Sequence, residues 1–377
     1  MQPKTSNSAT RVVHVSSAHP ATDNRIRYRE CATLADAGYD VSLVAVEPDT
    51  PAGRDEINEL LIPRLPRLKR VFISGPRAIR TALKSGADIL HLHDPELIWA
   101  VPFLRFFGKK VIYDAHEDLP VQVVSKPYVN RISRPILASF AHLIVRIARL
   151  SNHVVVATET IAERFPENKT SVVHNYPPLR IEEGAAPNQS DRPGKVVYVG
   201  GITTERGAEV MVSAVGALDF PENWSFDLAG TASESLLSDL KRMPGWERTT
   251  YLGQIPSAEA RNLLLNAKVG LVLLQSTKAY RESLPTKMFE YFAAGVPVIA
   301  SDFPLWRTIV EEHECGLLVN QESPEDIARA LKQYSENPDL LELHSTNARK
   351  LAVEQFNWQP EGETLVRAYQ SILGGKS

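Results

Sequence analysis

One stretch constrains the fold more than any other. Residues Val269 to Leu274 form an apolar run of the length of a buried strand. A polar loop follows to Leu284, and Pro285 then suits the first turn of a helix, where its missing N–H is no loss. Gly295 suits the end of that helix, Pro297 prevents its continuation, and Val296 to Ala300 reads as a second strand. A strand–loop–helix–strand unit with both strands apolar predicts a parallel sheet. In such sheets ligands bind outside the carboxyl ends of the strands, over helix N-termini. The loop carries Glu282, and the first helical turn carries Lys287, with Glu290 three residues on and on the same face. Two carboxylates and a cation thus gather where a helix N-terminus favours an anion. The set suits a sugar nucleotide, with the diphosphate on the helix end and Lys287, and hydroxyls on the carboxylates. A surface helix with an ordinary Lys–Glu pair would have the same spacing.

The same plan recurs along the chain. Strands are predicted at Arg11 to Ser16, Val41 to Val46, Ile89 to His93, Val111 to Asp114, Val154 to Ala157 and Ser171 to Val173, with a helix ending at Gly38. A second series comprises Lys195 to Val199, Ser225 to Ala229, Thr250 to Leu252, Val269 to Leu274, Val296 to Ala300 and Leu317 to Val319. With 377 residues, two similar domains are expected: 1–180, a breaker-rich linker 181–194, and 195–355, followed by a terminal segment 356–377. The opening βαβ unit has no Gly-x-Gly-x-x-Gly loop, so a nicotinamide cofactor is not indicated.

Charge and composition exclude several classes. The net charge of -3 gives no reason to expect nucleic acid. Cys31 and Cys315 are far apart in sequence and are expected to be reduced, in keeping with a cytoplasmic location. The first ten residues are polar and lack an export core, and no run approaches the ~18 apolar residues of a membrane span. Charge is nevertheless uneven: residues 1–190 have 24 Lys and Arg against 20 Asp and Glu, and the rest has 18 against 25. Residues 61–86 contain seven basic side chains (Arg64, Arg67, Lys69, Arg70, Arg77, Arg80, Lys84) and no acid. Residues 119–158 also lack acids and carry Lys126, Arg131, Arg134, Arg146 and Arg149 beside a helical apolar period of Ile132, Ile136, Phe140, Leu143, Ile144 and Ile147. This basic amphipathic helix has two readings: a core helix with a solvated edge, or peripheral contact with an anionic membrane.

The spacing Glu282-x7-Glu290, followed by Ala-Ala-Gly-Val-Pro-Val-Ile-Ala-Ser301, resembles the donor-site signature of the retaining family 4 glycosyltransferases. The form Leu-Pro-Thr-Lys-Met-Phe-Glu-Tyr291 is similar to a branch found among bacterial capsule, exopolysaccharide and lipopolysaccharide enzymes. The resemblance implies the GT-B fold, an α/β architecture of two Rossmann-like domains facing each other across a cleft, with the last helix crossing back to the first domain. It implies transfer of a sugar from a nucleoside diphosphate sugar, UDP by family frequency, to a hydroxyl of a glycan or lipid-linked acceptor. It also implies site roles. Glu282 contacts the donor sugar, with Ser283 and Leu284 beside it, and Glu290 contacts the ribose. Asp-Ala-His116-Glu resembles the element that brings a His over the donor sugar, which sets His116 ahead of His91 and His93. Ile255 lies in a turn resembling the one that meets the base.

Gly200-Gly201 follows a strand, and its backbone could approach a phosphate. The segment aligns with a family pattern Gly-Arg-x-x-x-x-Lys-Gly, in which Gly201 stands at the Arg position and Arg206 at the Lys position. Half of the cationic clamp is therefore missing, and Lys287 or an Arg of the first domain is expected to compensate. Asp23-Asn-Arg25 resembles a motif that contacts the acceptor or the donor phosphate; it would equally serve as a helix N-cap. No Asp-x-Asp motif or His/Cys cluster with metal spacing occurs, so no metal requirement is expected. Two other functions fit the same frame: a sugar-nucleotide epimerase and a catalytically silent membrane-associated scaffold.

Overall fold

A computed structural model describes residues 9–48, 57–66, 69–124, 133–179 and 188–374. Arg67, Lys126 and Arg131 of the basic stretches, and residues 181–187 of the expected linker, lie outside the described residues. The chain divides into two compact domains: one runs to Asn175 and regains the chain from Trp358 onward, and the other spans Tyr176–Asn357.

The first domain is built on a seven-stranded parallel sheet in the order β3-β2-β1-β4-β5-β6-β7. Its strands are β1 (Arg11–Pro20), β2 (Asp40–Val46), β3 (Asn58–Ile62), β4 (Ile89–Leu92), β5 (Lys110–Ala115), β6 (His153–Val156) and β7 (Thr170–Val172). Alternation along each strand sorts the side chains onto two faces. Val13, Val15, Leu90, Leu92, Val111 and Tyr113 point to one face, packed with Ala78, Leu97, Leu104 and Val145. The other face carries Val12, Ile89 and Ile112 and is covered by Ile26, Leu34 and the helix Trp358–Leu373, through Trp358, Leu365 and Tyr369. β1 sits where the strand order reverses, so the loops after β1 and β4 meet at a topological switch point.

The second domain repeats this plan with six parallel strands in the order β10-β9-β8-β11-β12-β13. They are β8 (Lys195–Val199), β9 (Ser225–Ala229), β10 (Thr249–Gly253), β11 (Val269–Val272), β12 (Val298–Ser301) and β13 (Gly316–Val319). Its switch point lies between β8 and β11. The helix Thr286–Ala293 begins after Pro285 and stops before Gly295, whose φ of 63° is readily adopted by glycine.

Two expectations change here. Asn58–Ile62 is a strand, β3, that was not anticipated: it is a short edge strand with only Ile62 fully buried, which leaves a weak apolar signal. The last part of the expected linker is packed into the second domain. Gln189 and Arg192 are buried; Arg192 donates to the carbonyls of Ala267, Ala294 and Gly295, and Gln189 to that of Gly295. A polar, breaker-rich segment thus serves as the C-terminal cap of the helix Thr286–Ala293, a place where a cation also suits the helix dipole.

Candidate functional site

Each switch point gathers a group of polar and charged side chains. In the second domain they converge on the Gly200–Gly201 turn. Gly200 has φ +142, and a Cβ at Gly230 would lie 1.8 Å from the Gly200 carbonyl oxygen, so β8 and β9 end in a backbone contact that only glycines permit. Both cations of interest rest on this turn. Lys287 Nζ is 3.2 Å from where a Cβ at Gly200 would be, and Arg206 Nη1 is 2.9 Å from the same point at Gly201. Arg206 therefore folds back into the space that a side chain at position 201 would occupy.

Tyr198 holds these cations from below. Lys287 Nζ lies 3.7 Å from the centre of its ring, a close cation–π contact. The Tyr198 hydroxyl donates to the Gly201 carbonyl at 2.8 Å, and burial pushes its pKa up to about 12. Lys287 Nζ is buried and has no hydrogen-bond acceptor. Burial, and secondarily Arg206, lower its pKa well below the usual lysine range, against the pull of Glu290. The helix Thr286–Ala293 has no side-chain cap at its N-terminus, while Arg192, Ser345 and Arg349 satisfy carbonyls at its other end. Two cations and an open helix N-terminus are together suited to an anion with several oxygens.

The remaining predicted residues lie in the same domain in different settings. Glu290 is half-buried within reach of Lys287 electrostatically. Glu282 is exposed at the end of the short helix Lys278–Arg281. Ser283 is fixed by its carbonyl, which accepts from Trp306 Nε1 at 2.9 Å, and Leu284 packs on the core. Ile255 follows β10, two strands from β8.

The first domain's switch point pairs its cation with acidic groups of its own chain. Ile26–Cys31 is a π-helical turn, and its wider pitch stacks Arg25 over Glu30, five residues on, at 2.9 Å. Arg25 also pairs through two nitrogens with Asp114 at 3.1 and 3.0 Å and donates to the Val173 carbonyl. Burial opposes the charge on Asp114, but Arg25 beside it holds the carboxyl well below its usual range. Burial, with Asp114 as neighbour, pushes Glu30 well above it. One guanidinium thus serves two carboxyls, of which one stays ionised. Asp23 caps the turn by accepting from the backbone N–H groups of Arg25 and Ile26, both at 2.9 Å. The expected Asp23–Arg25 pair is therefore placed with Asp23 as a cap and Arg25 inside the fold.

His116 follows β5 with its Nε2 2.8 Å from Asp114 Oδ2 and is partly exposed. His19 was not anticipated. Its ring stacks on that of His116 at 5.6 Å, and its nitrogens face Asp23 at 3.2 Å and Asp94 at 3.5 Å. Burial works against its charge, but the Asp23 hydrogen bond and the nearby carboxylates raise its pKa to about 9. Asp94 is itself buried, accepting from Ser16 and from the Ser17 backbone. Among the described residues, two sets of side chains have metal-ligating atoms within 4.8 Å of one another: His14, Glu30, His91, His93, and His93, Asp114, His116. Both lie against the Arg25 guanidinium, which already supplies their cation, and their ring nitrogens bond to one another. Cys31 and Cys315 are buried and free.

Comparison with known proteins accounts for both halves. The profile of the Glycosyltransferase Family 4 domain matches residues 25–176, and that of Glycosyl transferases group 1 matches residues 180–351. A Mycobacterium leprae phosphatidyl-myo-inositol mannosyltransferase is 25% identical over 369 residues, covering 92% of this chain and 90% of its own. A provisionally named Bacillus subtilis glycosyltransferase, YtcC, is 23% identical over 245 residues, covering 58% of this chain; that match spans 59% of the relative's own length. Among solved structures, sucrose-phosphate synthase of Thermosynechococcus elongatus superposes with a TM-score of 0.74 at 21% identity, over 97% of this chain and 100% of that one. Anabaena HepE, solved with UDP and glucose, gives 0.71 at 13% identity, over 96% and 100%. The chain belongs to the family 4-like glycosyltransferases, and its two parallel-sheet domains are those of the GT-B fold.

Proposed function

We propose that this protein transfers a sugar from a nucleoside diphosphate sugar to a hydroxyl of a glycan or lipid-linked acceptor, in the synthesis of a cell-surface polysaccharide or glycolipid. The observation that carries the reading is Lys287: a buried ammonium without a hydrogen-bond acceptor, set with Arg206 on a glycine turn at a sheet switch point. A departing diphosphate develops negative charge, and fixed cations and helix N–H groups stabilise it without reorganisation. These groups make a metal unnecessary for that step, so activity is expected to survive EDTA. In this reading Glu290 holds the ribose, Ile255 lies by the base, and Glu282, Ser283, Leu284 and His116 surround the sugar. UDP is the first nucleotide to try, and retention of anomeric configuration is the expected outcome.

The decisive experiment is calorimetric titration of the full chain with UDP, GDP and their sugars, followed by NMR of the product anomer formed with an acceptor. Binding of one nucleoside diphosphate, weakened in Lys287→Met, is the expected result. No binding of any of them would defeat the reading. An isomeric sugar nucleotide formed without acceptor would replace transfer by epimerisation.

The proposal includes peripheral contact of the first domain with an anionic membrane. No helix among the described residues is long and apolar enough to cross one. The helix Ser133–Ala148 buries Ala141, Val145 and Ala148 but leaves Ile136, Phe140 and Leu143 exposed. It packs near Pro95–Phe106, a stretch that exposes Trp99, Phe103 and, at 84%, Phe106. Arg146, Arg149 and Arg164 line, with Glu163, a groove of about 470 Å³ beside this helix, Arg164 being paired with Asp118. Exposed apolar side chains beside arginines are the pattern of an interfacial surface.

A further inference from the structure

Six side chains in the first domain form one hydrogen-bonded row. His91 Nδ1 is 2.8 Å from Tyr369 Oη, which is 3.3 Å from His14 Nε2. His14 Nδ1 is 2.9 Å from His93 Nε2. His93 Nδ1 and His116 Nε2 lie 3.3 Å from each other and both face Asp114 Oδ2, at 3.3 and 2.8 Å, so each is best served by turning an N–H to the carboxylate. A neutral imidazole has one N–H and one lone pair, so it donates on one side and accepts on the other. Burial lowers the pKa of His14, His91 and His93 and keeps them uncharged.

The ends of the row then decide its direction. Ionised Asp114 can only accept, so His93 donates to it from Nδ1. His93 Nε2 must accept from His14 Nδ1–H, and His14 Nε2 from the Tyr369 hydroxyl. The Tyr369 oxygen accepts in turn from His91 Nδ1–H. This leaves His91 Nε2 as a bare lone pair, and that nitrogen is buried without a partner. The reverse direction would leave an orphaned N–H there, which is the costlier defect. Both ends give the same answer.

We propose that this row has a single polarity running to Asp114. It holds His116 as its Nε2–H tautomer, with Nδ1 offered to a hydroxyl of the sugar substrate. Tyr369, His14 and His93 are positioning residues that lock Asp114 and, through it, the ring of His116. Because the row ends blindly at His91, it orients groups and does not conduct protons. The helix Trp358–Leu373 thereby takes part, through Tyr369, in placing His116. The sugar ligand rests on the glycosyltransferase reading above; the tautomers do not.

Ring nitrogen-15 correlation spectra of the full chain, labelled at histidine and assigned by single substitutions, test the polarity. Nδ1–H is expected on His14, His91 and His93, and Nε2–H on His116. An Nε2–H on His14 or His93 would overturn it. Tyr369→Phe removes only the hydroxyl; circular dichroism should be unchanged, while His91 should no longer be held as Nδ1–H. An unaltered His91 signature in a folded variant would remove Tyr369 from the row. The ligand-facing nitrogen is tested by His116→Asn, whose amide falls near the Nδ1 position, against His116→Gln, whose amide falls near Nε2. With a nucleotide sugar that the wild type uses, the Asn variant should keep roughly tenfold more kcat/KM than the Gln variant, the worth of one hydrogen bond. The opposite order would refute the offered Nδ1. If the wild type uses no nucleotide sugar, the transferase reading fails, while the spectra still decide the polarity.

Discussion

Arg25 and Lys287 both carry buried cationic groups at the carboxyl end of a parallel sheet, one in each domain, and their surroundings are opposite. Arg25 hydrogen-bonds one carboxylate and a carbonyl and lies 2.9 Å from a second carboxyl. Lys287 Nζ has a ring face beneath it, Arg206 as a like-charged neighbour and no acceptor. A buried ion whose partners belong to its own chain is part of the fold, and removing it strands those partners. A buried ion held beside another of the same sign costs stability and is suited to a ligand of opposite charge. The difference separates a cation satisfied by its own chain from one that is not, and the proposed diphosphate site rests on the second.

The comparison breaks most sharply on stability. Arg25→Met should cost about 3–5 kcal/mol, because Asp114 and Glu30 lose their shared cation. Lys287→Met should leave stability unchanged or raise it, since it removes a desolvated amine. Urea unfolding of both variants measures this, and equal losses would erase the contrast.

Nucleotide affinity should show the reverse. Lys287→Met should weaken UDP binding by roughly 10- to 100-fold, the worth of about 1.5–3 kcal/mol for hydrogen bonds to a charged group. A change below twofold would remove Lys287 from the diphosphate site.

Proton linkage sharpens the point. An anion on Lys287 raises its lowered pKa, so UDP binding should take up protons at pH values between the free and the bound pKa. The heat of binding should then vary with the ionisation enthalpy of the buffer in wild type but not in Lys287→Met. Identical buffer dependence in both would assign the proton elsewhere.

The cation at His19 gives a smaller effect of defined sign. Its folded pKa, about 9, lies above the 6.5 of a free imidazole. Its contribution is therefore complete below pH 6.5 and lost as the pH rises through about 9. Relative to His19→Gln, the wild type should lose unfolding temperature between pH 7 and pH 10. Parallel curves would show that Asp23 and Asp94 do not hold a protonated ring.

Membrane contact should respond least per residue. Each Arg near an anionic surface contributes about 1 kcal/mol. Phe140→Ser with Arg146→Gln and Arg149→Gln should reduce co-sedimentation with anionic vesicles at low salt and leave UDP affinity intact. Equal sedimentation of a folded variant would end the proposal.

Much of the fold was legible because both sheets are parallel and buried, which makes their strands short apolar runs between turn residues. The helix Thr286–Ala293 was readable from Pro285 and Gly295. Lys287 was readable as a cation at its start, but not its seat over Tyr198 and Gly200. Arg206 likewise counted as half a clamp, and nothing local foretells that it folds back on Gly201. Alternation places His14 and Ser16 on one face of β1, and His91 of β4 on the same side as His93 just past its end. Their meeting depends on β1 pairing with β4, a contact between strands distant in sequence. The Arg25–Glu30 pair was illegible for another reason: five-residue spacing faces nothing on an α-helix and requires the π-helical turn. His19 owes its charge first to Asp23, four residues on, and then to Asp94, 75 positions away, which only the fold brings near.

The return of the chain to its first domain has a consequence for synthesis. The seven strands of that domain are made before any of the second domain, yet the helix that covers their histidine-bearing face comes after it. At the usual pace of translation the intervening segment takes roughly ten to forty seconds. The second domain, continuous in sequence, can close within that interval. The nascent first domain waits with His14 and His91 uncovered until Trp358 and Tyr369 have left the ribosome, and a transcript cut short before them would yield a completed second domain attached to an unfinished first.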